Sequence, residues 1–404
     1  MRKDIESDMK RKDVEALIVL GDTTLANPDL AYVVGTNLAR GGIYFKRANS
    51  QPLLLTSVLD LQNAKKGKVK TVSTFTDFGF EKLMVKHGQA DAYPRLILKI
   101  LKQYRVSGKV VIAGRNDLAS GTKLVDRLRS LGVRITGDSS PTILEVARAT
   151  KSTEELEEIR EVGKRTTKVV EKVLDKLRSA KRRRGHLVLD GELATVGTVK
   201  RYISTQLAIQ ELTAPEGTIF AIGRSTADPH NGGVPSAKIT ERKLIVFDIF
   251  PQSESGYWFD LTRTFVIGRA DRRAHRLFEA VQQAQDASLG VLKEGLPAQT
   301  AMSEACDVIE RHGFKTVRDI FRGKIRKINS GFVHSLGHGV GLTIGERPYL
   351  SLQNKDPLTT GNVVTVEPGV YLPRYGGVRI EDTVLINSNG CECLSNTRKE
   401  FELS

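Results

Sequence analysis

The chain has 404 residues, of which 40% are hydrophobic and 27% charged, and its formal net charge is +15. That length predicts two or three domains and a sizeable core. No apolar run approaches the length that crosses a bilayer, which argues against a membrane partner. The opening MRKDIESDMKRKD is charged throughout and lacks the apolar region of a signal peptide, so a cytoplasmic protein is expected. Cys306, Cys391 and Cys393 cannot all pair, and they read as reduced thiols. The densest basic run, RSAKRRR at 178–184, follows a helical stretch and reads as a solvated connector. No zinc finger, RNA-recognition signature or interleaved aromatic accompanies it, so nucleic acid is not the expected partner.

Along the first 143 residues, short apolar runs alternate with helical patterns. ALIVL (16–20), GGIYF (41–45), PLLLT (52–56) and KVVIAG (109–114) read as strands, and 92–104 and 121–132 as amphipathic helices. This is an α/β pattern, and a first domain is expected over 1–143. The composition then shifts. In 149–177, Ser152 or Thr153 can cap a helix whose first turn is acidic. A second domain over 144–404 is expected, with further helices near 191–210, 272–293 and 298–312. Strands are expected at 218–223, 243–250, 257–268, 362–372 and 377–386. Helices interspersed with long antiparallel strands imply an α+β fold.

Strands disfavour acids, and a buried carboxylate is costly unless it is paired or bound to metal. Yet Asp248, Asp260, Glu367 and Glu381 each sit in an apolar strand-like run. Alternation puts Asp260 with Thr262 and Thr264 on one face, opposite Phe259, Leu261, Arg263, Phe265 and Ile267. It likewise separates Arg379, Glu381 and Thr383 from Val378, Ile380, Val384 and Ile386. Any one such acid is more often a strand-edge residue that reaches water. Four together, with the glycine-flanked histidines of VHSLGHGVGLTIGERP (333–348), form a donor set that suits two divalent cations with bridging acids.

In these motifs the chain resembles the pita-bread metallopeptidases. The ligand order of that family, Asp, Asp, His, Glu, Glu, is met by Asp248 in FDIF, Asp260 in FDLTRTF, His338 in HSLGHGVGL, Glu367 in VEPGVY and Glu381 in VRIED. The large N-terminal α/β domain is similar to that of the prolidase and aminopeptidase P branch. The resemblance implies a pita-bread catalytic domain that holds two divalent ions, Mn, Co, Fe or Zn, in a cytoplasmic homodimer. It implies hydrolysis of the first peptide bond of a short peptide before proline. It assigns substrate contact to His230 in ADPHNGG, a pocket position to His334, ligand orientation to Arg379, and proton transfer to Glu367 as well as metal binding.

Two positions depart from the branch. Seven residues after the metal histidine, where its members usually carry histidine, stands Gly345. Four further on, where many prolidases carry an arginine for the dipeptide carboxylate, stands Tyr349. Two alternatives therefore stay open: hydrolysis of another amide or C–N bond at the same metal site, and a binding protein on a retained peptidase scaffold.

Overall fold

A computed structural model describes residues 3–404. The chain divides into two compact units, one ending at Arg148 and the other running from Ala149 to Ser404. In the first, six strands form one sheet in the order Thr71–Thr74, Leu53–Thr56, Gly42–Arg47, Ala16–Gly21, Val110–Ala113, Ile135–Gly137. The central Ala16–Gly21 strand is buried along its whole length. A strand covered on both faces reads as a continuous apolar run rather than an alternating one. Helix Gln89–Gln103 packs Leu96, Ile97, Ile100 and Leu101 onto Ile18, Leu20, Ile43 and Phe45.

The second unit opens with helix Thr153–Arg178. Ser152 is its cap: the Glu155 amide donates to Ser152 Oγ and the Ser152 amide to Glu155 Oε2, a reciprocal box. Two sheets follow. One has the order Thr218–Ile222, Leu244–Ile249, Leu261–Ile267, Glu402–Leu403, and the other Ile344–Leu350, Gly337–Val340, Val363–Val366, Asp382–Asn387, Gly390–Cys393. A bridge between Thr262 and Glu381 joins them. Helices Arg272–Val291 and Ala298–Arg311 share one apolar core with Val378, Ile380, Val384 and Ile386, the face that alternation assigned to the interior.

The two long runs at 362–372 and 377–386 are each broken. The first is Val363–Val366 and Gly369–Leu372, and the second Gly376–Arg379 and Asp382–Asn387. Pro368 has no amide to give to a ladder, which ends the first segment. The Glu381 amide leaves its own hairpin to donate to Thr262 O. Glu367 and Glu381 therefore sit in strand breaks, and Asp260 just precedes its strand. Only Asp248 lies within one. The basic run forms an exposed first strand, Lys181–Arg183, of a small hairpin sheet. No helix of the described residues is long and apolar enough to cross a membrane.

Candidate metal centre

The strand breaks and the inter-sheet bridge bring the sequence-predicted residues to one cavity of about 600 Å³. Asp248, Asp260, His338, Glu367, Glu381, His230, His334 and Arg379 all line it. Asp248 is opposite Thr262 in the first sheet, and Thr262 bridges to Glu381 of the second. Asp248, Thr262 and Glu381, the last in a strand break, thus form a row across the seam. One ligand atom each from Asp260, His338 and Glu381 lies within 4.8 Å of the others. Glu367 Oε1 is 3.5 Å and Asp260 Oδ2 3.7 Å from His338 Nε2.

Hydrogen bonds fix which atoms face inward. Nδ1 of His338 is 3.2 Å from the Gly339 carbonyl, which can only accept, so Nδ1 carries the proton and Nε2 turns its lone pair to the carboxylates. Thr262 Oγ1 donates to Glu381 Oε2 at 2.7 Å, and Thr365 Oγ1 to Glu367 Oε1 at 3.2 Å. Arg379 Nη2 donates to Asp248 Oδ2 at 2.6 Å. Three of the other oxygens, Asp248 Oδ1, Asp260 Oδ1 and Glu381 Oε1, are buried and have no hydrogen-bond donor. Native interiors rarely leave such atoms unsatisfied. Three orphaned carboxylate oxygens beside an imidazole lone pair are the donor set of a divalent cation, so the residues fit the ion that the resemblance implies.

The electrostatics agree. Burial, with the Glu381 and Asp248 charges, holds the Asp260 carboxyl well above the usual carboxylate range. Burial, with Glu367 and Asp248, does the same to Glu381. Burial also pushes Glu367 up to about 7. Positive charge at the centre of this group would relieve all three.

His334 stands differently. Its Nδ1 is 2.7 Å from the Ser335 carbonyl and its Nε2 2.9 Å from the Tyr371 hydroxyl. Arg379 Nη1 donates to that same hydroxyl at 2.9 Å. The chain runs from guanidinium to phenol to imidazole, and both ring nitrogens are engaged. Burial, then Arg379, pulls the His334 pKa down to about 4, so the ring is neutral. His230 is exposed, on a loop whose Pro229 carbonyl accepts from Arg379 Nη1 at 3.2 Å. Arg379 pairs with Asp248, whereas Asp382 pairs with Arg263, the one charge on the apolar face of its strand.

The departures at 345 and 349 form one local unit. Gly345 has φ +78°, a left-handed conformation that L side chains avoid. The Tyr349 hydroxyl donates to the Gly345 carbonyl at 2.8 Å. The cavity wall here is Ile344, an apolar residue. Sequence reasoning missed Tyr371, Thr365 and Lys200. Tyr371 and Thr365 lie in strands already recognised, one in each half of VVTVEPGVY, but nothing local distinguishes Lys200 within its helix.

A buried acidic centre with one imidazole, on a seam between two sheets, has the donor set of a divalent-metal site. The chain belongs to metallopeptidase family M24, which its residues 157–388 match. It is 40% identical over 185 residues to the Xaa-Pro dipeptidase of Pyrococcus furiosus, covering 46% of this chain and 48% of that one. That match spans about half the length of the relative. An uncharacterized peptidase of Staphylococcus aureus is 28% identical over 310 residues, 76% of each chain. Among solved structures, the prolidase from Pyrococcus furiosus superposes with a TM-score of 0.73 at 25% identity, covering 97% of this chain and 99% of that one. The Xaa-Pro dipeptidase from Bacillus anthracis has the same fold, with a TM-score of 0.77 at 21% identity over 99% and 98% of the two chains. The architecture is an α/β N-terminal unit followed by a pita-bread catalytic unit.

Proposed function

We propose that this chain hydrolyses the N-terminal Xaa-Pro bond of short peptides. The observation that carries the reading is the convergence of Asp260, His338 and Glu381, with orphaned buried oxygens, on the floor of a peptide-sized cavity. Asp248, Asp260, His338, Glu367 and Glu381 would hold two divalent cations, with Mn, Co, Fe and Zn all compatible with these donors. When bound, such ions supply Lewis acidity and a water acidic enough to attack a carbonyl near neutral pH.

The chain's own groups do the rest. Arg379 and Thr262 orient Asp248 and Glu381. Glu367, which lines the same cavity, would take a proton from the attacking water and pass it to the leaving nitrogen. His230 reaches the cavity from an exposed loop and donates to the substrate carbonyl. His334, with both nitrogens occupied, shapes the wall and anchors Tyr371. The resemblance to prolidases extends the proposal to a cytoplasmic homodimer.

A second reading, hydrolysis of another amide or C–N bond, is favoured by the Ile344 wall, where the left-handed Gly345 next in sequence supplies no imidazole. Assays of Xaa-Pro dipeptides, Xaa-Pro tripeptides and proline-free peptides, with Mn²⁺, Co²⁺ or Zn²⁺ added, separate the two. Cleavage only before proline, lost by at least about 10³-fold in Asp260→Ala, is the expected result. Protein that binds metal but cleaves none of these peptides would favour the second reading.

A further inference from the structure

The cavity is lined by two Lys or Arg side chains, and they are in opposite situations. Arg379 is committed to Asp248, the Tyr371 hydroxyl, Thr262 Oγ1 and the Pro229 carbonyl. Lys200, on helix Val196–Ile209, donates to two neutral carbonyls, Thr218 O at 2.7 Å and Gly232 O at 3.0 Å. An ammonium has three donors, so one remains. No carboxylate pairs with Lys200 among the described residues. Burial without a counter-ion pushes its pKa down.

Its position relative to the acidic floor follows from register. Ile219 is directly opposite Asp248, and Thr218, which holds the ammonium, is the next residue along the strand. Thr218 O faces the outer edge of the sheet, as the Phe220 amide does in donating to Gly232 O, so the ammonium lies beyond that strand, more than one strand spacing (~4.8 Å) from Asp248. Gly232 keeps the approach bare: a Cβ there would stand 3.6 Å from Lys200 Nζ. In a dipeptide, the terminal carboxylate lies about one residue beyond the scissile carbonyl. A longer peptide places it farther out.

We infer that Lys200 binds the C-terminal carboxylate of the substrate and so selects dipeptides over longer or amidated peptides. The inference rests on the Xaa-Pro reading above. In this role Lys200 leaves the acidic floor free for the reacting bond and the substrate ammonium. The same side chain also ties the Pro229–Gly232 loop to the strand edge, so its binding role must be separated from a merely structural one.

The test compares kcat and KM for Ala-Pro and for Ala-Pro amide in the metal-supplied wild type, Lys200→Met and Lys200→Arg. An ion-assisted hydrogen bond is worth about 10- to 100-fold. Lys200→Met is expected to lose that factor on Ala-Pro, chiefly through KM, over and above any loss on the amide, so that the preference for the free carboxylate falls by about 10- to 100-fold. Lys200→Arg is expected to recover most of the loss. Equal losses on both substrates would show a structural tie alone and overturn the inference, as would a wild type that does not prefer the free carboxylate. If Lys200→Met does not fold, Lys200→Gln, which keeps donors for both carbonyls without the charge, carries the same comparison. A wild type that cleaves neither substrate would remove the Xaa-Pro reading and this inference with it. Cleavage of both with an unchanged ratio in the variants would remove the inference alone.

Discussion

Glu367 titrates near 7 in the folded chain, against 4.5 for the free side chain, because burial disfavours its charge. Asp260 and Glu381 are raised for the same first reason. A folded-state pKa above the unfolded one means that the native state binds more protons through the interval, so unfolding free energy falls as pH rises through it. His334 acts in the opposite sense, but only below its unfolded value of 6.5. Between pH 6.5 and 8.5 the raised carboxyls therefore dominate. Metal-free protein is expected to melt at a lower temperature at pH 8.5 than at pH 6.5, and a divalent cation to raise the melting temperature more at the higher pH. Calorimetry on chelated protein checks this, and a melting temperature flat or rising across that window would contradict it. These acids were legible in the sequence because a carboxylate in an apolar run stands out. Lys200 was not, since a lysine on a helix resembles any solvated one until register shows that it covers the edge of the Thr218–Ile222 strand.

At the scale of elements, alternation alone placed Asp260, Thr262 and Thr264 on the site face, and the structure uses all three there. Thr262 holds Glu381, and Thr264 exchanges hydrogen bonds with the Arg379 backbone. The breaks at Glu367 and Glu381 were not legible, because a residue that changes sheets is fixed by long-range pairing such as Thr262 with Glu381 and not by local pattern. The expected cap, Ser152 or Thr153, is Ser152, and its signal was legible because it is local. The Ile344–Leu350 strand carries the element-scale prediction. Gly345 faces open space, with nothing within 4 Å of a Cβ, so its constraint is the backbone angle alone. Gly345→His is expected to fold but to lose about 1–2 kcal/mol, the cost of an L residue in the left-handed region. Urea denaturation reads this directly, and an unchanged midpoint would show that the turn relaxes to accommodate a side chain.

For the whole molecule, a +15 chain concentrates Asp248, Asp260, Glu367 and Glu381 at one end of a cavity that Glu216 also lines, and that contrast is the physical core of the account. Self-repelling buried acids are tolerated when positive charge completes them. The α/β class of the first unit and the α+β class of the second followed from element order, and the pita-bread class from the resemblance that the motifs carry; the two units have these architectures. The identity of the ions and of the substrate depends on atoms that pattern does not specify. The most direct measurement is an add-back titration: strip the protein with a chelator, then follow Ala-Pro hydrolysis while Mn²⁺ is added in measured equivalents. The account predicts no hydrolysis in stripped protein and a rise that saturates at about two equivalents per chain, the loading of a paired site. Hydrolysis that persists without metal, or none at any loading, would contradict it.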